Sequence, residues 1–160
     1  MEIIIIYASR HGSTEKAAKM LEAKLSGNVS LFNIKKKAIP PLENYDLIFL
    51  GGSIHAGEIQ QKLKRFIKKN EALLSKKQLG LFLCCMDKEK AQLQFEHAYP
   101  EILRKNAVCT GLFGGEFNFE KMNWLERLAT KKIAGVHKTV SEIDEEAIFS
   151  FTEKINSLAQ

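Results

Sequence analysis

The run Ile3-Ile4-Ile5-Ile6-Tyr7-Ala8 narrows the possible folds more than any other stretch of the chain. It is apolar without alternation and rich in β-branched residues, which suits a strand buried on both faces, and such strands belong to parallel sheets covered by helices on either side. Ser9-Arg10-His11-Gly12-Ser13-Thr14 ends the run, and Ala17, Ala18, Leu21 and Leu25 then fall at helical spacing. A helix therefore opens at this loop. Its free backbone N–H groups and the positive end of its dipole would meet any anion there, while Ser9, Ser13 and Thr14 add hydroxyl donors and Gly12 allows close approach. The same six residues also suit an ordinary helix N-cap.

Strand and helix patterns alternate along the rest of the chain, the signature of an α/β fold. Further strands are expected at residues 29–34, 46–51, 79–85 and 107–113. A linker at 35–45 carries Lys35-Lys36-Lys37 and Pro40-Pro41. A loop at 52–57 leads into a helix with Ile59, Leu63, Phe66 and Ile67 on one face and five cations, Lys62, Lys64, Arg65, Lys68 and Lys69, on the others. Residues 89–105 are helix-like with a break at Pro100, 118–134 read as helical, and 144–158 form a closing helix. The expected architecture is an open three-layer α/β sandwich with a five-stranded parallel sheet of order 2-1-3-4-5, because the first and third strands are the most apolar and right-handed crossovers leave few topologies. Ligands bind such sheets beyond the carboxyl ends of the strands at the switch point. The loops meeting there are 9–14 and 52–57, with 84–90 one strand further along.

The well-known phosphate loops are absent. There is no GxxxxGK[ST] and no GxGxxG, and the central strand ends Leu50-Gly51-Gly52-Ser53, without the carboxyl-end Asp of a phospho-acceptor domain. The pattern hydroxyl-x-x-Gly-x-hydroxyl that remains resembles the FMN-phosphate loop of the flavodoxin family, with Ser9, Gly12 and Thr14 on the pattern and His11 in place of a common Thr. Together with Tyr45-Asp46-Leu47-Ile48-Phe49-Leu50-Gly51-Gly52-Ser53-Ile54-His55-Ala56-Gly57 and Phe113-Gly114-Gly115-Glu116-Phe117, it is similar to the flavodoxin-type, quinone-linked protoporphyrinogen oxidases of haem synthesis. That resemblance implies FMN as cofactor, held by Ser9, Arg10, His11, Gly12, Ser13, Thr14, Ser53, Ile54, His55, Ala56, Gly57, Cys85, Met86 and Asp87. It also implies an inserted segment at 116–134 after the fifth strand, although Glu116-Phe117-Asn118-Phe119-Glu120 lacks the Arg and Tyr residues that begin this segment in the family. The Trp and Tyr with which electron-shuttling flavodoxins cover the flavin are missing from residues 53–57 and 84–90. An uncovered ring suits catalysis on a bulky substrate such as a porphyrinogen, with a quinone as acceptor; the alternative is a carrier serving a redox-protein partner. The Ala56-Gly57 peptide is the candidate for contact with flavin N5. No catalytic residue is assigned, and His55 is the only candidate for an acid/base role.

At 160 residues, 45% hydrophobic and 27% charged, the chain suits one domain spanning 1–160 that folds without disulfides or metal. The first apolar run is too short for a signal peptide or a membrane span, so a cytoplasmic location is expected. Cys84, Cys85 and Cys109 have no metal or redox spacing and lie in strand-like runs, as buried thiols do. The net charge of +5 favours anionic reduced flavin and hence a less negative two-electron potential than in acidic flavodoxins. The lysine clusters also suit contact with an anionic membrane surface or with substrate carboxylates. Nucleic acid is not an expected partner, because no binding motif is present and few aromatics interleave with the lysines. Residues 121–133 carry Met122, Leu125, Leu128, Ala129 and Ile133 on one stripe beside Trp124; the expectation is that this helix packs on the sheet, with a membrane interface as the other possibility.

Overall fold

The computed structural model describes residues 1–158. Eight strands and six α-helices follow one another as β1 (Glu2–Tyr7), α1 (Ser13–Lys24), β2 (Asn28–Asn33), β3 (Leu47–His55), β4 (Glu58–Ile59), α2 (Gln61–Leu74), β5 (Gln78–Cys84), α3 (Ala91–Ala98), α4 (Glu101–Asn106), β6 (Ala107–Leu112), β7 (Gly114–Phe117), α5 (Trp124–Ala134), β8 (Val140–Ile143) and α6 (Glu145–Leu158). The five long strands pair in parallel in the order β2-β1-β3-β5-β6. Counted alone they are strands 2-1-3-4-5, the expected order, with the switch point between β1 and β3.

The sheet is a middle layer. One face packs against α2, α3 and α4 through Ile4, Ile6, Leu63, Ile67, Phe95 and Leu103, and the other against α1 and α6 through Ile3, Ile5, Leu21, Phe151 and Ile155. All four isoleucines of β1 are fully buried, as their lack of alternation requires. Two Phe–Gly pairs lock β3 to β5. Phe49 lies opposite Gly80 and Gly51 opposite Phe82 in the register, and each ring fills the space that a side chain on the facing glycine would need. A Cβ at Gly51 would lie 1.9 Å from a Phe82 ring carbon, and one at Gly80 would lie 2.1 Å from Phe49. Tyr99 ties the same two strands, its buried hydroxyl donating to Phe82 O (2.6 Å) and Leu50 O (3.1 Å).

Four local expectations change. Residues 52–55 are strand rather than loop, because Gly52 and Ser53 continue the pairing with β5 and Ile54 and His55 fold back onto β4. Ile59 accordingly belongs to β4, and α2 starts two residues later, at Gln61. Pro100 separates two short helices, α3 and α4. The stretch 118–134 is helical only from Trp124, where Asn123 accepts from the Glu126 N–H and the Glu126 side chain accepts from the Asn123 N–H. It lies within a small separate ribbon in which β7 pairs antiparallel with β8, an element the apolar pattern did not announce. Contrary to expectation α5 does not pack on the sheet: it has no buried residue, and Trp124 is 72% and Ile133 87% exposed. The sheet face beside β6 is already covered by α6. Among the described residues no helix is long and apolar enough to cross a membrane, and no side-chain cluster could hold a metal.

Candidate functional site

The loop after β1 is built to leave donors free. Ala8 continues the strand by donating to Gly51 O (3.0 Å), and the chain then turns so that Ser9 Oγ accepts from the Gly12 N–H (3.1 Å). Gly12 stands at the N-cap of α1 with φ of 105°, where a side chain would be strained, and no side chain caps the helix. The first N–H groups of α1 therefore have no side-chain partner, and the helix dipole adds positive potential. Ser13 and Thr14 open the helix and both are buried. Thr14 Oγ1 is fully enclosed, and among the described residues it is the only buried side-chain nitrogen or oxygen without a hydrogen-bond partner. An unmade bond of this kind costs about 1–3 kcal/mol, so the position is out of place in an ordinary helix cap. Orphaned hydroxyl and unpaired amides together fit a phosphate group.

Arg10 and His11 do not face open solvent. The Glu126 carboxylate of α5 reaches back across 115 residues of sequence to accept from His11 Nε2 (3.1 Å), and it pairs with Arg10 through its other oxygen. Burial works to raise the Glu126 pKa, but the Asn123 N–H, His11 and Arg10 hold it below the usual carboxylate range. A neighbour of the same segment, Lys121, lies over Gly12: a Cβ built there would stand 2.7 Å from its Nζ. Neither residue was among the sequence candidates. The Asn123-x-x-Glu126 spacing marks a helix start, but nothing local marks its contact with a loop so far away in sequence.

The second group of candidates sits on a hairpin. Ala56 and Gly57 form its two-residue turn with φ of 50° and 79°, and Ala56 is the one non-glycine residue at positive φ among the described residues. Ile54 pairs with Ile59 and His55 with Glu58. Ser53 is occupied, its N–H donating to Gln60 Oε1 (3.0 Å) and its Oγ accepting from Gln60 Nε2 (2.6 Å). The His55 ring meets His11 edge-on with centroids 5.4 Å apart, which joins the hairpin to the first loop. Burial, then the nearby His11 and Arg10 charges, lower the His55 pKa to about 4. Its imidazole is neutral at pH 7.

The third loop turns elsewhere. Cys85 donates through Sγ to Gln94 Oε1 (2.6 Å), and its N–H donates to Gly114 O (2.6 Å). Asp87 accepts from the Lys90 N–H (3.1 Å) and pairs with Lys90 Nζ (3.4 Å). Met86 is half-buried and packs on β7, so that a Cβ at Gly115 would lie 3.1 Å from its Cγ. All three cysteines are free and buried, and burial pushes the Cys84 and Cys109 thiols up to about 12. They are poor nucleophiles at neutral pH. Two basic clusters that are separate in sequence meet: Lys35, Lys36 and Lys37 face Lys62, Arg65 and Lys69 across an open groove of about 810 Å³ floored by Ile39, Phe66 and Leu73.

Known proteins share this arrangement. The chain is 21% identical over 170 residues to the protoporphyrinogen IX dehydrogenase [quinone] of Escherichia coli (strain K12), a match covering 100% of this chain and 93% of that protein. Among solved structures, a short-chain flavodoxin associated with a bacterial microcompartment superposes with a TM-score of 0.65 at 14% identity, covering 100% of both chains. The flavodoxin of Fusobacterium nucleatum bound to flavin mononucleotide superposes at 0.55 and 15% identity, covering 99% of each chain. At these identities the structural likeness speaks for the fold. The sequence profile of the flavodoxin domain family matches residues 4–144, most of the chain's length, and the protein belongs to that family.

Proposed function

We propose that this protein binds FMN and oxidises an organic substrate of the protoporphyrinogen type, delivering the electrons to a quinone. The observation that carries the cofactor assignment is the buried, unpartnered Thr14 hydroxyl at the start of α1. Thr14, Ser13 and the amides of residues 10–14 would hold the phosphate. Bound FMN supplies reversible electron and hydride transfer at its ring. The Ala56-Gly57 turn is the candidate neighbour of flavin N5, since one of its residues is glycine and both already lie at positive φ. With a pKa of about 4, His55 is no proton donor at neutral pH; its neutral ring lies against His11, where it orients the hairpin.

Enzyme rather than carrier is favoured by α5, which stands beside the phosphate loop through Glu126 and exposes Trp124, Leu125, Leu128 and Ile133 together. An apolar helix face rimmed by Lys131 and Lys132 suits shallow contact with an anionic membrane, where a lipid-soluble quinone is found. The carrier reading keeps its own support in the fold shared with flavodoxins.

The visible spectrum of the purified protein comes first: flavin bands, or their appearance on adding FMN, are expected, and a colourless protein that takes up no FMN refutes the assignment. Porphyrin formation from protoporphyrinogen with a quinone present then separates enzyme from carrier. Sedimentation with anionic liposomes is expected to remove protein from the supernatant, and full recovery there would dispose of the membrane contact.

A further inference from the structure

We propose that Lys121, carried on the segment between β7 and α5, is a cationic ligand of the cofactor phosphate, so that this segment selects the phosphorylated flavin over phosphate-free flavin. The inference rests on the FMN reading above and adds to it a contact from outside the first loop.

Geometry brings the ammonium to the loop. A Cβ at Gly12 would lie 2.7 Å from Lys121 Nζ and 3.8 Å from Cε, so the end of the lysine occupies the space that a side chain at position 12 would fill. The backbone on either side is held. The Lys121 N–H donates to Asn118 O (3.2 Å), Phe119 and Met122 are buried, and Asn123 caps α5. Glu126 then fastens the start of α5 to Arg10 and His11. The lysine stem thus crosses to the loop from an anchored stretch of chain.

Charge makes the arrangement incomplete without an anion. Arg10 and Glu126 neutralise one another, while Lys121 takes part in none of the ion pairs among the described residues. An ammonium beside the N-terminus of α1 repels the positive end of the helix dipole and the unpaired N–H groups there. The buried Thr14 hydroxyl beneath them also lacks a partner. A phosphate dianion in the loop would satisfy the hydroxyl, the amides and the ammonium together. Riboflavin, with the same ring and no phosphate, would satisfy none of them.

Apoprotein titrated with FMN and with riboflavin, followed by quenching of flavin fluorescence, tests this. The wild-type protein is expected to prefer FMN, with an affinity that falls as salt is added while that for riboflavin stays level. Lys121→Met is expected to weaken FMN binding about tenfold, the loss of a charge-assisted hydrogen bond, and to leave riboflavin within about twofold. Lys121→Arg should keep most of the preference. FMN, and not riboflavin, should also slow protease cleavage within residues 118–126. An unchanged FMN-to-riboflavin ratio in Lys121→Met, or a salt-independent FMN affinity in the wild type, overturns the role of Lys121 while the flavin reading stands. A wild-type protein that binds neither flavin overturns both.

Discussion

Helices α1 and α5 carry apolar stripes of similar spacing and meet opposite fates. In α1, Ala17, Ala18 and Leu21 are completely buried, whereas in α5 Leu125 is 57% and Leu128 55% exposed. The neighbours account for the difference. Helix α1 joins two paired strands of the central sheet, so its crossover presses it onto the sheet. Helix α5 joins the two strands of a separate ribbon, and α6 already occupies the sheet face beside β6. An amphipathic stripe therefore states that a helix needs an apolar partner, and the topology decides whether this chain supplies it.

The sharpest way to break the comparison is to challenge both regions with one kind of change. Gly51→Val places a branched side chain where a Cβ alone would meet three Phe82 ring carbons at 1.9–2.4 Å. Overpacking a core with no room to yield is expected to cost about 3 kcal/mol or more, read as a large loss of thermal stability or as insoluble protein. Ile133→Gln on α5 is expected to stay within about 0.5 kcal/mol of the parent, since the residue is 87% exposed. A large loss in Ile133→Gln would mean that α5 is packed against something in solution.

A smaller and more selective effect is expected at the junction of the two regions. Thr14→Val keeps the buried shape and removes the one hydroxyl that lacks a partner. The apoprotein should then be as stable as the parent or slightly more so, because nothing loses a hydrogen bond. FMN affinity, measured by fluorescence titration, should fall about tenfold. Destabilised apoprotein with unchanged FMN affinity would show that the hydroxyl serves the core and not the ligand.

Much of the sheet is legible from composition alone, because strands buried on both faces must be apolar at every position, as Ile3 to Ile6 are. The loop at 9–14 is legible for a similar local reason: hydroxyls, a glycine and a helix start stand next to one another in the chain. What escapes is held by long-range polar contact. Strands β7 and β8 are four residues each and half exposed, so their pairing leaves no apolar signature. The bond between Glu126 and His11 is an exchange between two surface side chains, invisible until the fold brings α5 back over the loop. Residues 52–55 misled for the opposite reason. Gly51-Gly52 looks like a turn, and it is strand because Phe82 and Ile59 fill the space over the two glycines.

The smallest change is expected from acid, and it reports on the contact between the hairpin and the phosphate loop. His55 is held at about pH 4 by burial and by its neighbours His11 and Arg10, against 6.5 for an ordinary histidine. In the unfolded chain it takes up a proton near pH 6.5, while the folded chain resists until about pH 4. Across that window the unfolded state binds more protons, so this group's contribution to stability is constant above the window and shrinks as the pH falls through it. Other groups titrate in the same range, so the useful quantity is the difference in urea-unfolding free energy between the parent and His55→Gln at each pH. That difference should drift in favour of His55→Gln from pH 7 to pH 4.5. A flat difference would mean that His55 is solvated and the hairpin stands away from His11. Such a protein would have its first two ligand loops independent of each other, with α5 fastened to one of them alone.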